Sequence, residues 1–275
     1  MNKLVVSQTV CNRVKQNVRR AKFSGQKCLC LLLAIFLFAC KGEDRVIWGE
    51  CFDCAVIHGY PVWSPDGKWI AYVRGSATYL IRPDGSNNIL WHNRVVKAAW
   101  SPCSQWITFS EYGRIWKKRI DGSSLTQLTE EISNSNPAWS PDGKKIAFYN
   151  TGGGIWILDL ENDTIYQSYS GLVFDFVWID NKNIILGQPF SEENVPVTRL
   201  CLLDTETNTY HKISSLSQSP RNFSFCYTNS KMLFTQGVSK NQCYHLDLWI
   251  INADGTEPRK LLEYSSFASW HPDGN

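Results

Sequence analysis

The sequence predicts an all-β fold, a β-propeller of four-stranded blades with five full blades and an incomplete sixth. Three observations lead there. Trp-Ser-Pro-Asp stands at 63–66 and again at 139–142, each time followed by Gly-Lys and a short apolar run, with weaker copies at Trp100-Ser101-Pro102 and Trp270-His271-Pro272-Asp273-Gly274. Trp178 and Phe225 continue the series, so six aromatic anchors follow one another at spacings of 37, 39, 39, 47 and 45 residues. A recurrence near 40 residues is the mark of a repeat fold. Between anchors, apolar runs alternate with Asp-Gly and Asn-type turns, and no stretch after residue 40 carries the spacing of three and four that marks a helix.

Each period justifies its own strands. After the anchor comes a turn in which Pro presets φ and Gly accepts positive φ, so Gly67 and Gly143 are expected in the left-handed region. In the second copy Cys103-Ser104 replaces Asp-Gly, and Ser104 is expected to mark a turn of different geometry. An alternating strand follows each anchor: 69–73, 107–109, 146–149, 184–186 and 232–234. A further strand comes next, at 79–81, 115–116, 155–158, 200–203 and 248–251, and ends at a hairpin turn such as Pro83-Asp84-Gly85 or Ala253-Asp254-Gly255. A more polar strand, for example Thr126-Gln127-Leu128-Thr129, leads to the next anchor and completes four per blade.

At Trp63-Ser-Pro-Asp-Gly-Lys-Trp-Ile-Ala-Tyr72 and Trp139-Ser-Pro-Asp-Gly-Lys-Lys-Ile-Ala-Phe148 the chain resembles the TolB-type, WD-like propeller repeat. The resemblance covers residues 58–275 and implies the six-bladed propeller of the periplasmic TolB proteins. The same repeat builds the non-catalytic propellers of dipeptidyl peptidase and prolyl oligopeptidase relatives. It specifies a fold and leaves function open. The fourth and fifth copies keep only the aromatic and a polar turn, and the α/β domain that precedes the propeller in TolB has no counterpart in the short stretch before blade one.

The N-terminus carries a second signal. Residues 1–28 hold seven basic residues and no acid, Leu29–Ala39 is an unbroken apolar run, and Cys40 follows. A basic stretch, a short apolar core and a small residue at the cut describe a signal peptide, here 1–39. Eleven apolar residues fall short of the ~20 that span a bilayer. Leu37-Phe38-Ala39-Cys40 resembles a bacterial lipobox, which implies acylation of Cys40, although Phe38 is bulkier than usual there. An uncleaved signal anchor and a plain signal peptide cut elsewhere are the competing readings. Residues 40–57 are then a lipidated segment that links to blade one and offers an edge strand, and 58–275 form the propeller. The chain stops after one strand and a turn of the sixth blade, which reads as a fragment, a frameshifted gene or a degenerate copy.

Without the signal the charge changes sign. The whole chain has 28 basic and 25 acidic residues, and loss of the seven basic residues of the signal leaves a net charge of −4. No clustered basic footprint for nucleic acid survives; Lys117-Lys118-Arg119, the one basic run, decorates a strand face. Six cysteines remain beyond Cys40, and sequence does not choose among fifteen pairings. Cys51-Phe-Asp-Cys54 reads first as a small structural disulfide or idle thiols, with pairing elsewhere or redox and metal chemistry as alternatives.

No Gly-x-Ser-x-Gly elbow, His-Glu-x-x-His pair or phosphate loop occurs, and Gly152-Gly153-Gly154 lies between strands with no helix behind it. The sequence therefore points to a non-enzymatic, monomeric envelope scaffold, needing no cofactor and holding a protein or peptide partner. The rival reading is the gating propeller of a serine peptidase whose catalytic domain is missing. A propeller enzyme acting on carbohydrate is a weaker third. Extra length falls at Gln188–Val197 and Gly237–Tyr244, read as long loops on the face opposite the Asp-Gly turns. Phe190, Glu192, Glu193 and Tyr244 are the expected partner contacts there.

Overall fold

The computed structural model describes residues 46–48 and 58–274, apart from 95, 193–194, 218–219, 241–242, 264 and 266. Blade one is β2 (His58–Trp63), β3 (Ile70–Arg74), β4 (Ala77–Ile81) and β5 (Ile89–His92). Blade two is β6 (Ala99–Trp100), β7 (Trp106–Glu111), β8 (Arg114–Arg119) and β9 (Thr126–Gln127). Blade three is β10 (Asn134–Trp139), β11 (Lys145–Asn150), β12 (Ile155–Asp159) and β13 (Thr164–Tyr169). Blade four is β14 (Phe176–Trp178), β15 (Asn183–Glu192), β16 (Val195–Asp204) and β17 (Thr209–Ser217). Blade five is β18 (Pro220–Cys226), β19 (Lys231–Lys240), β20 (Cys243–Asn252) and β21 (Arg259–Leu262). Each is a four-stranded antiparallel sheet in simple sequence order, and no helix occurs among the described residues. A separate two-stranded sheet joins β1 (Val46–Trp48) to β22 (Ala268–Trp270).

The first strands of neighbouring blades touch in series, β2 to β6, β6 to β10, β10 to β14, β14 to β18, β18 to β22 and β22 back to β2. These six strands form the inner ring. The hydrophobic core is correspondingly divided into layers between sheets: Ala71, Leu80, Trp100 and Phe109 between blades one and two, Ile157, Trp178, Ile184 and Leu203 between three and four.

The anchor turn is what repeats. In blade one the Ser64 hydroxyl, fully buried, donates to Asp66 (2.7 Å) and accepts from the Trp69 amide (2.9 Å), while the Gly67 amide closes the turn on the Ser64 carbonyl. Ser140, Asp142, Gly143 and Lys145 repeat the pattern in blade three. Gly67 and Gly143 have φ of 68° and 73°, as expected. The expectation for Ser104 is corrected. It has φ of 59° and its amide bonds to the Ser101 carbonyl, so it makes the same turn as the glycines. Its hydroxyl accepts the Asp66 amide at 3.0 Å, a bond to the preceding blade that glycine has no atom to make.

The anchors themselves alternate. Trp100, Trp178 and Trp270 are buried and donate their indole N–H to the preceding blade, at the carbonyls of Val62, Ala138 and Ser224 (3.0–3.1 Å). Trp63 and Trp139 are half-buried, and their indole N–H groups have no partner. The ring closes where β22 meets blade one: the Trp63 ring packs edge-on against His271, 4.6 Å between centroids.

Cys103, Cys201 and Cys226 are free thiols. Cys40, Cys51 and Cys54 lie outside the described residues.

Gly143→Val should destabilise the protein by about 1–2 kcal/mol, because a Cβ there is forced into the left-handed region. Its nearest neighbour, Pro102 at 3.6 Å, is an ordinary contact, so the cost is conformational. Equal midpoints in chemical denaturation of parent and variant would remove the turn assignment.

Candidate functional site at the loop face

The ring has two unlike faces. One carries the anchor turns and the outer hairpin turns, all short and stereotyped. The other carries the hairpins between second and third strands and the links between blades, and it holds the mouth of the central channel.

The residue three before each anchor stands at this mouth: Tyr60, Lys97, Asn136, Asp175, Asn222 and Phe267. In blades one, three and five it sits in a register shift of the first strand with φ of 52°, 48° and 56°. Such bulges turn a side chain out of the pleat. In blades two and four the residue precedes the short first strand. Lys97 Nζ lies 3.7 Å from Asp175 Oδ1, a contact that skips blade three and so spans the channel. Asp175 is 6% exposed and also accepts the amides of Phe176 (2.9 Å) and Phe223 (3.0 Å), which fixes blade four to blade five. Gly187 leaves room here, since a Cβ would meet the Phe223 ring at 3.1 Å. Opposite, Phe267 packs on Tyr60, 4.3 Å between centroids.

Beside the mouth a cavity of about 470 Å³ opens between blades one and two, lined by Ser76, Asn93, Arg94, Glu111 and Tyr112 among others. Arg94 pairs with Glu111 at 2.8 Å and bonds the Tyr112 hydroxyl. Thr78 holds the link in place by donating to the Arg94 carbonyl and accepting the Val96 amide. His92 lies behind Glu111, 3.6 Å away, and its burial pushes its pKa down. Among the described residues no group of three or more His, Cys, Asp and Glu side chains is placed to hold a metal.

The two segments read as long loops are corrected. Residues 188–197 and 237–244 largely continue the strands: β15 and β16, and β19 and β20, are ten residues each and pair to Glu192↔Val195 and Lys240↔Cys243. Other blades have five or six residues in these strands. At about 3.3 Å per residue the extra length raises the hairpins of blades four and five by roughly 15 Å. Phe190 is half-buried, paired with Val197, and carries the Arg199 guanidinium 3.0 Å from its ring centroid, so it is less open than expected. Glu193 and the side chains of Glu192 and Tyr244 lie outside the described residues. Sequence reasoning missed Lys97, Asp175 and the Arg94–Glu111 pair. The signal for the first two was present, since both stand three before a tryptophan anchor.

Solved structures share this architecture. The structure described as TolB from Agrobacterium tumefaciens matches with a TM-score of 0.66 at 15% identity, over 80% of this chain and 87% of that one. TolB from Acinetobacter baumannii gives 0.62 at 20%, over 78% and 57%. The fold is that of the TolB-type propellers. An oligogalacturonate lyase in complex with manganese shares it at a TM-score of 0.56 and 11% identity, over 74% of this chain and 64% of the lyase. In sequence, a dipeptidyl-aminopeptidase B of Talaromyces stipitatus is 28% identical over 102 residues, 30% of this chain and 11% of the peptidase. The match therefore spans a small part of that enzyme's length. No protein-family profile matches the chain.

Two outcomes follow from this geometry. Asp175→Ala should cost about 1–3 kcal/mol by leaving two buried amides without an acceptor, and Lys97→Ala, at an exposed partner, at most about 1 kcal/mol. Urea midpoints of the two variants in the reverse order would contradict the role given to Asp175. His92 is held neutral by burial, so its folded pKa lies below its unfolded one near 6.5. The stability it lends is complete above that pH and is lost as pH falls from there through the lower folded pKa. Melting temperature should decline below about pH 6.5 in the parent, and less steeply in His92→Gln; identical slopes would place the titration elsewhere.

Proposed function

We propose that this chain is a non-enzymatic scaffold of the bacterial envelope, lipid-anchored through Cys40, that holds a protein or peptide partner on its loop face. The observation that carries the reading is the contrast between faces. The turn face repeats one local geometry, while the loop face bears two raised hairpins beside a channel mouth ringed by Tyr60, Lys97, Asp175 and Phe267. Recognition is commonly built on variable segments held by a rigid scaffold. A peptide seated at the mouth would meet aromatic rings on one side and the Lys97–Asp175 pair on the other, with Phe190, Glu192, Glu193 and Tyr244 on the hairpins above. The signal-like N-terminus supports the envelope location and the anchor.

A second reading has its own support, the peptidase match. There the propeller gates a serine peptidase, and a Gly-x-Ser-x-Gly encoded downstream of Asn275 would select it.

Cross-linking in intact envelopes tests the scaffold reading. Lys97→Ala and Phe190→Ala should lose a partner cross-link that Asp84→Ala, on the turn face, retains. Loss with Asp84→Ala alone puts the interface on the other face. For the anchor, Cys40→Ser should abolish incorporation of labelled fatty acid, and unchanged labelling would refute it.

A further inference from the structure

The turn face departs from its own repeat in two blades. At the first rung of the second strand, blade three pairs Lys145 with Asp159, blade four Asn183 with Asp204, and blade five Lys231 with Asn252. Blade two instead pairs Trp106 with Arg119. Arg119 and Lys117 both lie over the Trp106 ring, at 4.9 and 5.1 Å. Blade one repeats this with Trp69, whose ring carries the Arg82 guanidinium at 3.8 Å.

Charge sets blade two apart. In blades three and four Lys144 pairs with Glu161 (2.9 Å) and Lys182 with Asp204 (3.0 Å) and Glu206 (3.4 Å), and in blade one Lys68 pairs with Asp66 (3.5 Å). Among the described residues Arg82, Lys117 and Arg119 have no ion pair. Asp84 and Asp121 accept from Ser86 and Ser123 within their own turns and keep their negative charge beside Arg82 and Arg119, so the excess cations are in blade two. Blade two thus keeps Lys117, Lys118 and Arg119 against Asp121, whereas blade four sets Lys182 against Asp180, Asp204 and Glu206.

The chain's path links this rim to the anchor. β1 pairs antiparallel with β22, and Val46 stands opposite Trp270, the residue just before the turn His271–Gly274. The N-terminal end of β1 is therefore at the turn face, six residues after Cys40.

We infer that the Trp69–Arg82 and Trp106–Arg119–Lys117 rim docks on the anionic headgroups of the bilayer that receives the lipid at Cys40, with the loop face turned away from the membrane. The inference rests on the acylation of Cys40 proposed above. Indole rings favour the interfacial level of a membrane, and the cationic excess of blade two beside them adds attraction to anionic lipid. One anchor at the face's edge leaves orientation free, and a basic-aromatic rim on that face fixes it.

The test uses the full processed chain reconstituted into vesicles with 30% phosphatidylglycerol or with phosphatidylcholine alone, each doped with a headgroup-nitroxide lipid. Sedimentation with vesicles reads the anchor. Nitroxide quenching of tryptophan fluorescence reads the rim. In anionic vesicles the parent should show a quenched fraction that Trp69→Phe/Trp106→Phe lacks. Arg82→Gln/Lys117→Gln/Arg119→Gln should lose that quenching while still sedimenting, with an unchanged melt, and each single replacement should weaken it about fivefold. Sedimentation with equal quenching in both lipids, or in the triple variant, overturns the docking and leaves the anchor standing. Failure to sediment removes both. Release of the quenching by soluble polyglutamate at physiological salt, with none by sodium glutamate of equal charge, would reassign the rim to an acidic protein segment.

Discussion

The first three blades depend on one local constraint, the buried serine of the anchor turn. Its hydroxyl serves the aspartate and the strand amide at once, which forces the chain to reverse within a few residues and leaves the anchor aromatic facing the neighbouring sheet. Ser64, Ser101 and Ser140 make this reversal in the first three blades, and Asp180 and Asn229 cap the corresponding turns of blades four and five by accepting the amides that follow them. Ser101 keeps this bond to the Trp106 amide (3.0 Å) even though Cys103 has replaced the aspartate. Ser104 tolerates the left-handed conformation that glycine takes elsewhere, and gains a bond to blade one in exchange.

Alternation follows from the same ring. Even-numbered anchors reach the preceding blade with an indole bond, and odd-numbered anchors do not. Between blades two and three the Thr108 hydroxyl donates to the Ala99 carbonyl (3.2 Å), and the Trp139 indole N–H has no partner. Odd-numbered first strands are bulged and even-numbered ones short. The channel mouth inherits this threefold pattern, and Lys97 and Asp175, which pair there, both stand on even blades. A partner at that mouth would meet a rigid rim, because Asp175 is tied to two backbone amides as well as to the lysine.

The repeat, the strand order and the hairpin turns were legible because they are encoded within a few residues. Pro-Asp-Gly fixes φ locally, and apolar runs such as Ile146-Ala-Phe148 alternate over a packed sheet. The raised hairpins were misread because alternation fails outside the ring. Gln188-Pro-Phe-Ser-Glu has no buried face to write a period of two, and proline and glycine there suggested a loop. The mouth was illegible for another reason. Lys97 and Asp175 are far apart in the chain, and only closure of the ring brings them together. Ser104 was misjudged because its non-glycine side chain suggested a new turn, when the serine hydroxyl compensates the strain with an inter-blade bond.

Closure itself is the claim on which both faces rest, and hydrogen exchange measures it. β22 and β2 stand at opposite ends of the described chain, and β22 is held by three rungs to β1 and by contacts to β2 and β18. If the ring is closed, amides of Ala268–Trp270 should exchange as slowly as those of β10 and β14, whose places in the ring are held by four-stranded blades. Exchange at loop rates across 268–270, with β10 and β14 still protected, would mean that blades one and five stand apart and that the ring is open.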